Sequence, residues 1–124
     1  MATRSTITPR LGYKDLRRNI CKMNLNSYKE VTHAICKSKG WDRVPVSSVW
    51  LLLTEEIGEL ASAIRQYTRT YKKGNLRKER GTDIQSEMGD VFSYLFQLAS
   101  MLNVDLDEMW IKHQQKVRMR NYNM

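Results

Sequence analysis

Two short stretches of this 124-residue chain carry the same order of residue types. Glu56-Ile57-Gly58-Glu59-Leu60 and Glu87-Met88-Gly89-Asp90-Val91 both read acid, apolar, glycine, acid, apolar. Acids three apart on a helix emerge on one face, one turn above the other. Each acid also directly precedes an apolar residue, which places it about 100° round the helix, at the edge of the stripe that residue buries. Two such helices packed through equivalent stripes would gather four carboxylates in one part-buried cluster. Gly58 and Gly89 each cost about 1 kcal/mol against alanine in a helix interior. In return they allow close approach of a backbone or ligand at this level.

Carboxylates brought together repel, by about 1 kcal/mol per contact at 4 Å in water and several times more when part-buried. Either their pKa values rise or a cation joins them. Oxygen-only ligation suits a hard ion, Mg²⁺ or Mn²⁺, and the absence of Cys and His from the set argues against zinc. A single E-x-x-E is most simply a pair of solvated acids facing nearby Lys and Arg. Two matched copies beside two matched glycines favour a ligand set. A di-iron bundle would need paired Glu-x-x-His motifs. Glu30 and His33 supply one, but Trp110 stands three residues before His113, so there is no second.

Helices must position these groups, and the sequence is punctuated accordingly, with only six Gly and two Pro. Residues 1–12 read as a loose tail and 13–124 as one helical domain. A first helix is expected from about Tyr13 to Ser38, closed by Gly40. Pro45 suits the first turn of a second, running to about Lys72 near Gly74. A basic, Gly-bounded loop follows from Lys72 to Gly81. Thr82 with Gln85 forms a capping box for a third helix reaching about Leu102. Asp105 with Glu108 opens a fourth, continuing towards Arg120. Leu53, Ile57, Leu60 and Ile64 on the second helix, and Val91, Leu95, Leu98 and Leu102 on the third, recur at helical spacing and are expected to be core. The fold class is therefore all-α, a four-helix bundle.

The composition fits one globular domain: 14.6 kDa, 41% hydrophobic and 27% charged. The longest apolar run, Val49 to Leu53, falls far short of the roughly 20 residues of a membrane span. The Ser/Thr-rich start carries no apolar segment of a secretory signal. Cys21 and Cys36 read as reduced thiols of an intracellular, cytoplasmic protein. The net charge of +8 is uneven. Met1 to Thr54 holds ten Lys/Arg against three acids, and Arg65 to Gly81 seven against one. Such a surface accepts an anionic partner, nucleotide or nucleic acid, or is simply a solvated basic face.

The acidic motifs carry a resemblance. Glu55-Glu56-x-x-Glu59 followed by Glu87-x-x-Asp90 resembles the EExxE…ExxD signature of the MazG-like all-α nucleoside triphosphate pyrophosphohydrolases. TEEIGELASAIRQ, ending at Gln66, and EMGDVFSYLFQLA, ending at Ala99, are similar in context, and the likeness runs from about Gly40 to Arg120. The 27 residues between Glu59 and Glu87 fit the family's variable connection. The resemblance implies Mg²⁺-dependent cleavage of a (d)NTP to (d)NMP and pyrophosphate, with nucleotide-pool house-cleaning as a role. Glu56, Glu59, Glu87 and Asp90 would be metal ligands. Glu55, with Glu56, would serve catalysis by orienting or deprotonating water. Lys116 and Arg120 resemble the family's phosphate contacts, although Val117 stands where many members have Asn. Trp41 and Ser48 occupy positions that lie near the nucleobase in similar proteins. Trp41, like Trp50 and Trp110, fits a core position equally well. Similar proteins are homodimers or homotetramers in which paired helices complete the core.

Two other readings stand beside the enzyme. A basic helical nucleic-acid-binding protein keeping the same fold would use the first 54 residues and the Lys72–Arg80 stretch on phosphates, though no DNA- or RNA-reading motif is present. A catalytically silent interaction protein is disfavoured by the intact acid set.

Overall fold

Asn24 starts the first helix by a reciprocal cap. Its side-chain oxygen accepts from the Ser27 backbone N–H at 2.8 Å, and the Ser27 hydroxyl accepts from the Asn24 N–H at 3.3 Å. Helix α1, Leu25–Ser38, follows and ends where Gly40 takes a left-handed φ of 74° and donates to the Lys37 carbonyl. The computed structural model describes residues 23–68 and 79–120. The tail at 1–12, the helix start expected at Tyr13, Cys21 and residues 69–78 of the basic connection lie outside the described residues. One helix from Tyr13 to Ser38 does not form, because Asn24 caps a helix that begins only at Leu25.

A short 3-10 turn, Trp41–Arg43, leads to Pro45, whose carbonyl accepts from the Ser48 and Val49 N–H groups and so opens α2, Val46–Thr68. Helix α3, Glu79–Met101, begins three residues before the capping box expected at Thr82. Thr82 is thus inside the helix. Helix α3 closes with Asn103 at φ 55°, Val104 N–H reaching the Ala99 carbonyl at 2.9 Å and Asn103 N–H the Ser100 carbonyl at 3.3 Å. This is the paired bond pattern of a left-handed helix stop. Helix α4, Leu106–Met119, opens as the sequence predicts, with the Asp105 side chain accepting from the Glu108 N–H at 3.0 Å. The fold is all-α, with no strand among the described residues, and no described helix is long and apolar enough to cross a membrane.

The chain divides into two units. The first takes in Met1–Asp42 and Ala99–Met124, and in it α1 and α4 cap each other. The Leu25 N–H donates to Asp107 Oδ1 at 3.0 Å, and the Leu106 N–H donates to Asn26 Oδ1 at 2.8 Å. Asn26 Nδ2 then donates to Asp105 Oδ1 at 2.9 Å, and Lys29 Nζ to the Val104 carbonyl at 2.6 Å. Donors that helix starts leave unpaired are thus satisfied from the neighbouring helix. Cys36 is a free, buried thiol in this unit, its pKa raised by burial and then by Asp42.

The second unit, Arg43–Leu98, holds α2 and most of α3. Val49 and Leu53 are fully buried and Ala63 nearly so, with Glu56 and Leu60 half-buried between them. These positions step by four, three, four and three, the seam of a helix that packs along another helix. On α3, Ile84, Glu87, Val91, Tyr94 and Leu98 form the corresponding seam. The expected stripes are therefore only partly core. Leu53 and Leu98 are buried, but Ile57, Ile64, Leu95 and Leu102 are exposed. Both helices carry a second apolar seam 100° from the first, and the expected stripes straddle the two.

Candidate metal centre

The acids occupy different parts of these seams. Glu56 takes a seam position on α2, following Leu53 by three, and Glu87 does so on α3, between Ile84 and Val91. Glu59 and Asp90, one turn on, are exposed at the seam's edge, as is Glu55. Edge placement thus holds for Glu59 and Asp90 only; Glu56 and Glu87 are drawn inward because the seam's phase is set by Val49 and Leu53. The consequence is convergence. Carboxylate oxygens of Glu56, Glu87 and Asp90 lie within 4.8 Å of one another.

Burial and mutual repulsion act on the same groups. Glu56 is raised from 4.5 to about 7, first by burial, then by the charges of Glu59 and Asp90, with a hydrogen bond to Glu59 and the Glu87 charge adding to the effect. Glu87 is raised for the same leading reason, followed by Glu59 and Asp90. Glu59 contributes to both upward shifts, although it lies outside the tightest trio. One oxygen of Glu56 and one of Glu87 are buried with no hydrogen-bond donor. An acceptor buried without a donor costs roughly 1–3 kcal/mol. A cation would satisfy both oxygens and remove the repulsion. The donor set, all carboxylate oxygen from two helices, fits a hard divalent ion.

Among the described residues, none packs closely against Gly58 or Gly89. A Cβ at either would meet nothing within 4 Å. Of the backbone or ligand expected to approach here, no backbone among the described residues does.

The remaining sequence-derived residues are divided between the two units. Ser48 is half-buried in the first turn of α2. Trp41 belongs to the first unit, half-exposed like Trp50 and Trp110, with Lys39 Nζ 4.7 Å from its ring centroid. This cation–π contact passed unnoticed in the sequence, where only the i, i+2 spacing across Gly40 hints at it. Lys116 and Arg120 are exposed on and just after α4, also in the first unit. His33 is exposed and His113 stacks on Trp110 at 5.8 Å; neither joins a ligand group among the described residues.

Comparison with known proteins gives the chain's family. A profile described as the MazG nucleotide pyrophosphohydrolase domain matches residues 45–124. Uncharacterized protein YvdC of Bacillus subtilis (strain 168) is 36% identical over 89 residues, 68% of this chain and 83% of that protein. Gene 37 protein of Mycobacterium phage L5 is 35% identical over 75 residues, 60% of this chain and 65% of its own length. No solved structure matches.

Proposed function

Because the chain belongs to the family of MazG nucleotide pyrophosphohydrolase domains, we propose that it hydrolyses a nucleoside triphosphate between its α- and β-phosphates, releasing monophosphate and pyrophosphate. The observation that carries this reading is the convergence of Glu56, Glu87 and Asp90 with two buried oxygens that have no donor. Glu56, Glu59, Glu87 and Asp90 would hold Mg²⁺ or Mn²⁺. The ion would neutralise charge developing on the phosphates.

The chain's own side chains divide the remaining work. Glu55, next to Glu56 and exposed, orients the attacking water and accepts its proton. Water adds across the bridge between the two phosphorus atoms, and pyrophosphate leaves with the bridging oxygen. Lys116 and Arg120 supply positive charge for the triphosphate, common to every base. Trp41 and Ser48 are assigned to the base, which an indole can stack on. Clearing unwanted nucleotides from the pool is the physiological role this chemistry would serve.

The test is pyrophosphate release from a panel of dNTPs and NTPs, with and without Mg²⁺ and with excess chelator. Metal-dependent release from at least one nucleotide is expected. No release from any of them, together with salt-sensitive, submicromolar nucleic-acid binding, would replace this reading with that of a basic nucleic-acid-binding protein.

A further inference from the structure

Helix α4 is covered only at its start. Asn26 and Asp107 tie its first turn to α1, whereas every residue from Glu108 to Arg120 is exposed. Past Glu108 the charge has one sign. Met109 to Arg120 holds Lys112, Lys116, Arg118 and Arg120 and no acid. Lys112 pairs with Glu108 at 2.9 Å, which leaves the other three for an anion. Trp110, 47% exposed, stacks on His113, their centroids 5.8 Å apart and their planes 26° from parallel. The two rings share one helical face, which Val117 and Arg120 continue in steps of four and three.

We propose that this stretch of α4 binds single-stranded nucleic acid, bases stacking on the Trp110–His113 pair and phosphates meeting the cations. Exposed flat rings among cations, with no acid between them, suit a polyanion that carries unpaired aromatic rings. The stack already orders both rings, so a base meets a platform that is partly preorganised. A partner helix fits this surface less well. Met109, Ile111, Val117 and Met119 each fall about a quarter-turn from the next at 100° per residue, so they form no apolar stripe. From Trp110 to Arg120 the helix advances about 15 Å at 1.5 Å per residue. That is the length of about four nucleotides at 3.4 Å each. Arg118, which the proposed hydrolysis does not use, stands two turns beyond Trp110 on the ridge through Gln114. Stacking and phosphate contacts read no sequence, so no base-reading motif is needed. The inference does not rest on the proposed hydrolysis, and one chain can do both.

Fluorescence anisotropy of labelled oligo-dT and oligo-U tests it on the full chain, with excess chelator present so that nothing is hydrolysed. Micromolar binding of at least one strand is expected at low salt. The logarithm of the dissociation constant should rise by about 2 per tenfold salt, at roughly 0.7 per phosphate for three contacts. Trp110→Ala with His113→Ala should weaken strand binding at least about tenfold and leave binding to a duplex of the same length unchanged. Trp110→Phe, still a flat ring, should stay within about threefold of wild type. Arg118→Ala should lower the salt slope by about 0.7. Where the double alanine variant loses helical circular dichroism, Trp110→Leu is the substitute, since it keeps apolar bulk without a stacking face. Absence of strand binding up to about 100 μM protein at low salt overturns the proposal. So does binding that the ring substitutions leave intact in folded protein, or binding that about 1 mM thymidine monophosphate displaces, which would make this a site for single nucleotides.

Discussion

Asp105 and Asp107 in the first unit each accept a backbone N–H, and Asp105 takes the Asn26 amide as well, whereas Glu56 and Glu87 in the second unit each bury an oxygen that no donor reaches. The consequences run in opposite directions. Asp105 is lowered, first by the Asn26 side chain and then by the Glu108 N–H. Glu56 and Glu87 are raised, first by burial and then by neighbouring acids. The junction of α1 and α4 is complete within the chain. The acid cluster is complete only with protons or a cation. That difference separates a structural use of carboxylates from a ligand-binding one.

The sharpest way to break the contrast is to neutralise one acid of the cluster. Glu59→Gln and Asp90→Asn keep side-chain shape while removing charge, so each should abolish pyrophosphate release yet leave the metal-free fold intact or more stable. Circular dichroism melting and the release assay together decide it. Wild-type turnover in either variant removes that residue from the ligand set. Asn26→Ala should do the reverse, costing about 1 kcal/mol of stability as lost capping while sparing turnover of the folded enzyme.

Metal and pH sharpen it further. Mg²⁺ at a hundred times its dissociation constant should stabilise by about 2.7 kcal/mol, several degrees in melting temperature. Without metal, the raised groups favour folding when protonated. The contribution of Glu56 is full below the ordinary value of 4.5 and is lost as pH rises through about 7, and Glu87 acts in the same direction. Metal-free melting temperature should therefore fall between pH 5 and 7.5, and saturating Mg²⁺ should flatten or invert that slope, because ligation needs the ionised forms. Asp105 acts oppositely and in another window. Its contribution is present above 3.8 and is lost as pH falls through its lowered pKa. A metal-free melting curve flat from pH 5 to 7.5 would contradict the burial of Glu56.

Much of the site was legible because its signal is local. Acids three apart beside a glycine, Asp105 with Glu108, and Gly40 after Ser38 each state their geometry within one turn. The phase of the seams was not legible. Leu53, Ile57, Leu60 and Ile64 satisfy helical periodicity, yet Leu53 and Leu60 belong to the inner seam and Ile57 and Ile64 to the outer. When two apolar seams lie 100° apart, periodicity cannot say which one the chain itself covers. Burial at Val49, Leu53, Ala63 and Leu98 marks the inner seam, and Glu56 and Glu87 lie on it. The α1–α4 junction was equally hidden, because Asn26 and Asp105 are 79 residues apart.

The smallest effect concerns the glycines beside the acids. Within the chain, a Cβ at Gly58 or Gly89 meets nothing within 4 Å, so Gly58→Ala and Gly89→Ala should each stabilise the dilute, metal-free protein by roughly 0.5–1 kcal/mol through helix propensity. No neighbour would have to shift, and no left-handed backbone is required at either position. If the open space serves a bound nucleotide, the same variants should raise KM or lower turnover while melting higher. If it serves nothing, turnover should be unchanged. A melting temperature unchanged or lowered at nanomolar concentration would mean that a backbone meets these helices there after all. The pair of measurements thus separates room kept for a ligand from room kept for packing.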